Sequence, residues 1–134
     1  MARKDKSIVA SLLDLPEFEP ETEAVELPRL GLRFELKELP YDRLESLSRE
    51  KDANIHLILA SVTNHPELKQ EAWYHDKMKC ATPADALKKL LRRGEVSKIV
   101  RVIDILNGYG AGSVVPVERE KAAVSAAVEE LEKN

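Results

Sequence analysis

Thr82-Pro-Ala-Asp-Ala-Leu-Lys-Lys-Leu-Leu-Arg-Arg-Gly-Glu-Val-Ser-Lys-Ile-Val-Arg-Val-Ile-Asp-Ile-Leu-Asn-Gly108 is the stretch whose reading decides the fold. It reads as two helices with a signal at every boundary. Thr82 is an N-cap, Pro83 takes the first helical position, where a missing N–H costs nothing, and Asp85 places negative charge in the first turn. Ala84, Leu87, Leu90 and Leu91 make one apolar stripe at helical spacing, while Lys88, Lys89, Arg92 and Arg93 take the other side and the C-terminal end. Gly94 is expected to adopt the left-handed conformation that ends this first helix. A second helix then restarts at once on Val96, Ile99, Val100, Ile103 and Leu106. Val102 and Ile105 widen its stripe, and a helix apolar over so wide an arc is buried from several directions. Gly108 stops it. This second helix is expected at the centre of the molecule.

The whole chain bounds what surrounds that centre. Its 134 residues make one domain, with 43% hydrophobic and 34% charged residues, the composition of a globular protein rich in helix. Aromatic residues are only 4%, so aliphatic side chains must form the core. A formal charge of -3 supplies no global field towards nucleic acid or an anionic membrane. Cys80 is alone, which excludes an internal disulfide and fits a reducing cytosol and a buried free thiol. The apolar run Ile8 to Leu15 is broken by Ser11 and Asp14 and is too short for a membrane span or a signal-peptide core. The expected location is therefore cytoplasmic.

On the N-terminal side, Ser7 is placed to cap a short helix carrying Ile8, Leu12 and Leu13 and ending before Pro16. Asp14 to Glu26 holds six acidic residues, no basic ones, and two prolines, which is the composition of a solvated linker. Val25 and Leu27, then Leu30, Leu32, Phe34 and Leu36, alternate with polar residues. This period of two predicts a β-hairpin around Pro28-Arg29 that needs helices against its apolar face. Tyr41-Asp42 opens a helix with Leu44 and Leu47 inside. Asp52 caps the next, whose buried face carries Ile55, Ile58, Leu59 and Val62 beside Leu57. Asn64-His65-Pro66 stops it, and Glu67 to Lys79 reads as one weakly amphipathic helix. Beyond the central pair, Tyr109 to Pro116 is a Gly-rich loop. A last helix from about Val117 to Lys133 places Val117, Val124, Val128 and Leu131 on a narrow seam that Lys121 interrupts. The fold class is mainly α (α+β), a helical domain with a small N-terminal β-hairpin. Residues 1–26 form a short helix and acidic linker, 27–110 the scaffold, and 111–134 a Gly-rich linker and C-terminal helix.

Chemical signals are sparse. His56, His65 and His75 stand nine and ten positions apart, which is not a metal-ligand spacing. Gly108-Tyr-Gly-Ala-Gly-Ser113 follows a helix instead of a strand, so it lacks the context of a phosphate-binding loop. No serine or carboxylate stands in a nucleophile or acid–base motif. Neither an enzymatic activity, a catalytic residue, a cofactor nor a metal is expected. The basic run Lys88, Lys89, Arg92, Arg93, Lys98 and Arg101 spans a helix–Gly–helix turn and gives the alternative reading, a small helical DNA-binding protein of helix-turn-helix type. Against it, outward helix faces and helix C-termini ordinarily carry such cations, and the chain is slightly acidic overall.

Several marks then occur in order: Arg29-Leu-Gly with Leu32-Arg-Phe-Glu-Leu and Leu39-Pro-Tyr-Asp; Leu57-Ile-Leu-Ala-Ser-Val running to Pro66-Glu-Leu; Thr82-Pro-Ala-Asp-Ala-Leu-Lys-Lys-Leu-Leu; Gly94-Glu; and Ile105-Leu-Asn-Gly-Tyr. Together they resemble the XkdN-like phage tail assembly chaperones over roughly Leu27 to Gly110. The chain departs from that pattern at Arg49-Glu-Lys-Asp52, where members often carry a longer lysine-rich connection. It departs again at Trp73 to Ala81, which is longer than usual and lacks a glycine near Tyr74. The resemblance implies a small helical protein of a phage, prophage or phage-tail-like particle. Such a protein binds the tape measure protein, keeps it soluble and helps tail tube protein subunits assemble round it in the host cytoplasm. It implies no catalytic residue. A chaperone for a long helical client needs exposed apolar seams. The candidate partner-binding residues are Ile8, Leu12 and Leu13, the aromatic anchors Trp73, Tyr74 and Tyr109, and the seam Val124, Val128 and Leu131, with self-association into a homo-oligomer expected through the terminal segments.

Overall fold

A computed structural model describes residues 11–117, so the expected Ser7 cap, Ile8, and the helix carrying Val124, Val128 and Leu131 lie outside the described residues. The order of elements is β1 (Thr22–Leu27), β2 (Leu32–Lys37), α1 (Tyr41–Ser48), α2 (Ala53–Ser61), a 3-10 turn (Pro66–Lys69), a π-type turn (Ala72–Lys77), α3 (Pro83–Leu90), α4 (Arg93–Asp104) and a second π-type turn (Ile105–Tyr109). This is the expected helical domain with a small hairpin.

The strands pair antiparallel with Val25 opposite Phe34 and Leu27 opposite Leu32. Four residues, Pro28 to Gly31, turn the chain, closed by the Leu30 N–H donating to the Leu27 carbonyl at 3.0 Å. Gly31 has φ 65°, which explains a glycine there. β1 begins at Thr22, so the second half of the expected acidic linker is strand. Its partly buried Val25 and buried Leu27 pack inward while Glu23 and Glu26 stay exposed. The acidity that reads as linker falls on exposed positions of a strand. Leu30, expected within the second strand, sits in the turn.

Two stranded ribbons need cover. The hairpin's apolar face, Leu27, Phe34 and Leu36, joins one core with Ile55, Ile58 and Leu59 of α2, Leu87 of α3, and Ile99 and Ile103 of α4. Ile58, Leu87 and Ile103 are fully buried, as a central second helix requires. The outer edge of β2 is also covered. After α2, the Thr63 N–H donates to the Glu35 carbonyl at 2.8 Å, and the Asn64 side chain accepts from the Glu35 N–H at 3.0 Å while donating to the Arg33 carbonyl at 2.9 Å. The fully buried Ser61 hydroxyl donates to the Lys37 carbonyl at 2.9 Å. Residues that read only as a helix stop therefore satisfy a strand edge that would otherwise be open to pairing with other chains.

Four boundaries differ from expectation. α3 ends at Leu90 because Leu91 turns extended (φ -97°, ψ 146°) and drives its side chain into the core. Gly94 is consequently not a C-cap: it lies in the first turn of α4, and its φ is not left-handed. Asp52 occupies the N-cap position of α2 with φ 58°, but its carboxylate makes no cap and instead takes Lys88 Nζ at 3.1 Å. Glu67 to Lys79 is broken into a 3-10 turn and a π-type turn, closed by Lys79 at φ 59°. Finally, Ser11 opens a 3-10 turn at Leu12–Asp14 by accepting from the Leu13 N–H at 3.1 Å.

Candidate functional site

The candidate binding residues fall into two groups of different exposure. Leu12 and Leu13 are 85% and 93% exposed on the 3-10 turn ahead of Pro16. Tyr109 is 78% exposed just past Gly108, with Ile105 exposed at the start of the same turn. These side chains cost free energy in water and are available to a partner. Trp73 and Tyr74 differ: both are half-buried, and Trp73 packs against the core cluster. Part of the Trp73 ring is thus structural, and only its remaining edge is open to a partner. Ile8, Val124, Val128 and Leu131 lie outside the described residues.

The basic run is divided by the fold. Lys88 Nζ pairs with Asp52, and Lys89 Nζ donates to the Met78 carbonyl at 2.8 Å, so both cations are occupied in holding elements together. Arg92, Arg93, Lys98 and Arg101 are exposed. The break between the two helices lies at Leu91–Arg92 and not at a glycine turn, and α4, the helix a DNA reader would present, buries Ile99 and Ile103 in the core.

The histidines are separated in the same way. His65 Nε2 meets the Arg33 carbonyl at 2.8 Å and Nδ1 meets a Glu67 carboxylate oxygen at 2.8 Å, with the ring edge-on to Phe34 at 5.4 Å. Both neighbours only accept, so the doubly protonated ring satisfies both. The hydrogen bond to Glu67 raises the His65 pKa above its ordinary 6.5, against a smaller opposing effect of burial. His75 is exposed beside Asp76, and the half-buried Cys80 thiol donates to the Met78 carbonyl at 3.4 Å. Among the described residues no group of three or more His, Cys, Asp or Glu is arranged to hold a metal ion. No helix among them is long and apolar enough to cross a membrane.

The residues that carry the family resemblance sit at joints of the scaffold. Arg29 grips Glu95 with two bonds, Nε to Oε2 at 3.0 Å and Nη2 to Oε1 at 2.7 Å, and also reaches the Leu90 carbonyl at 2.8 Å. Glu95 in turn accepts from the Arg92 N–H at 2.8 Å, so one carboxylate caps α4 and ties it to the hairpin turn. These bonds, the Arg29 side chain foremost, hold the Glu95 carboxyl down at about 2. Thr82 Oγ1 accepts from the Asp85 N–H at 3.1 Å, the cap its sequence announces. Asn107 accepts from the Leu39 N–H and donates to the Ile103 carbonyl, both at 2.9 Å, while Gly108 at φ 96° lets the chain leave α4. Sequence reading missed the Arg29–Glu95 and Leu39–Asn107 contacts, for which spacing offers no signal. No family model, characterised protein or solved structure matches the chain.

Proposed function

We propose that this chain is a tail assembly chaperone of a phage, prophage or phage-tail-like particle. It binds the tape measure protein in the bacterial cytoplasm, keeps it soluble while tail tube subunits assemble round it, and acts as a homo-oligomer. The observation that carries this reading is the ordered series of marks between Leu27 and Gly110 that resembles the XkdN-like chaperones. Support comes from where those residues lie. Arg29, Leu39, Thr82, Glu95 and Asn107 make contacts within one scaffold. A holding function asks for exposed apolar side chains beside a stable core, and Leu12, Leu13 and Tyr109 have that character. The role needs no bond to be made or broken, and no catalytic residue or cofactor is assigned.

The test is co-expression with a tape measure protein from the same genome. Tagged chain is expected to raise the soluble fraction of that client and to co-purify with it. A client equally insoluble with and without the chain, and absent from the purified fraction, defeats the proposal. Duplex DNA provides the contrasting arm. Tight binding that falls steeply with salt and disappears on changing Arg92, Arg93, Lys98 and Arg101 to Ala would instead favour the DNA-binding alternative.

A further inference from the structure

The two edges of the hairpin differ. The Glu38 N–H donates to the Glu21 carbonyl at 2.9 Å, one step beyond the Thr22–Lys37 partners. Bonded pairs alternate along an antiparallel ladder, so Glu23, Val25 and Leu27 turn their backbone groups towards β2, while Thr22, Ala24 and Glu26 turn theirs outward. On β2 the outward carbonyls of Arg33, Glu35 and Lys37 all accept bonds from residues 61–65. The outer edge of β1 has no such cover. Among the described residues nothing bonds the outward groups of Thr22, Ala24 and Glu26, save that the Ala24 N–H has the neighbouring Glu23 Oε2 at 3.3 Å. Thr22 and Glu26 are exposed and Ala24 is half-buried. Pro20 and Pro28, which lack an N–H, bound this open stretch.

We propose that this edge takes up an extended, basic segment of another protein as a third strand, an inference that does not depend on the role proposed above. Main-chain bonds would supply the affinity, as in other cases of strand addition, and a two-stranded ribbon gains support from a third strand. Side chains supply the selectivity. Glu23 and Glu26 are exposed, and neither forms an ion pair among the described residues. Arg33, the cation across from Glu26, pairs with Glu35 at 3.7 Å instead. Three positions separate the two glutamates, which sets them on opposite faces of the strand. A partner strand with two cations three positions apart meets both, one on each face, and its intervening residues lie beside Ala24 and Val25.

Charge favours such a partner over a second copy of β1. From Thr22 to Leu27 the strand carries two glutamates and no cation, so self-pairing would gather four carboxylates along one seam with nothing to match them. The side chains stand perpendicular to the sheet and leave the backbone of the edge unobstructed.

Residue-resolved hydrogen exchange on the full chain decides this. The probe is a short synthetic peptide of valine and threonine with two lysines three positions apart, and its control has glutamates in their place. Excess lysine peptide is expected to slow exchange at the Ala24 and Glu26 amides about tenfold, and the glutamate peptide by less than about twofold. Ala24→Pro removes the central outward N–H, a change that an edge strand tolerates, and should abolish the effect. Slow exchange at Val25 and Leu27 reports an intact hairpin in each variant. Glu23→Lys combined with Glu26→Lys should reverse the preference in favour of the glutamate peptide. Ala24 and Glu26 amides that do not respond to the lysine peptide, or a doubly substituted variant that still prefers it, overturn the proposal. Protection at these amides without peptide, growing with protein concentration together with dimers in light scattering, overturns the assignment to a basic partner and makes a second copy the occupant.

Discussion

Glu95 receives three N–H groups, two from Arg29 and one from the Arg92 backbone. Its carboxyl, ordinarily near 4.5, is held at about 2, so the folded state binds its proton less readily than the unfolded chain. The stabilisation is therefore complete above pH 4.5 and is lost as pH falls through about 2. Urea unfolding of the parent and Glu95→Gln should show the parent more stable at neutral pH, with the gap narrowing below pH 4.5 and closing towards 2. An unchanging gap across that range would contradict the ion pair. His65 behaves in the opposite sense. Its raised pKa gives stability that is full below 6.5 and disappears as pH rises through the folded value. Glu67, lowered from 4.5 chiefly by the same hydrogen bond, adds stability that fades as acid protonates it. Parent minus Glu67→Gln stability is thus expected to peak between 4.5 and the His65 value and to decline on both sides. The Thr82 cap is legible from sequence because donor and acceptor lie within one turn. The Arg29–Glu95 pair spans 66 positions, and nothing in local spacing announces it.

At the scale of elements, α4 is the piece most plainly written in the sequence, since Ile99 and Ile103 repeat at helical spacing and both are buried. Ile103→Ala should cost roughly 2–5 kcal/mol, measured by urea denaturation, because the space it fills has no solvent access. The boundary before α4 is less legible. Gly94 carries the usual mark of a helix end, yet the buried Leu91 ends α3 first by turning extended, a choice made by the core and not by local preference. The two glycines then separate cleanly. A methyl group at Gly94 meets nothing within 4 Å, so Gly94→Ala should stabilise by about 0.4–1 kcal/mol through the unfolded chain. Gly108 sits at φ 96°, where a side chain is strained, and Gly108→Ala should cost about 1–2 kcal/mol. A stabilising Gly108→Ala together with a destabilising Gly94→Ala would reverse both assignments. Strand β1 was obscured by its own acidity: the exposed Glu23 and Glu26 suit a solvated linker as readily as a strand.

For the whole molecule, the helical core with its hairpin was legible in the sequence, whereas the exposure of the candidate partner-binding residues was not. Period and capping are local and survive in a single sequence, whereas the exposure of Leu12, Leu13 and Tyr109 against the half-burial of Trp73 depends on packing among distant elements. In the proposed role, a stable core carries exposed apolar side chains that hold a client. The most direct measurement is capture of the co-expressed tape measure protein by the parent and by a Leu12→Ser/Leu13→Ser/Tyr109→Ser variant, quantified by pull-down and light scattering. All three side chains are exposed, so the variant should unfold at the parent's urea midpoint. This variant is expected to lose most of the captured client and to form smaller assemblies while its scaffold stays folded. Capture equal to the parent's by a folded variant would contradict it.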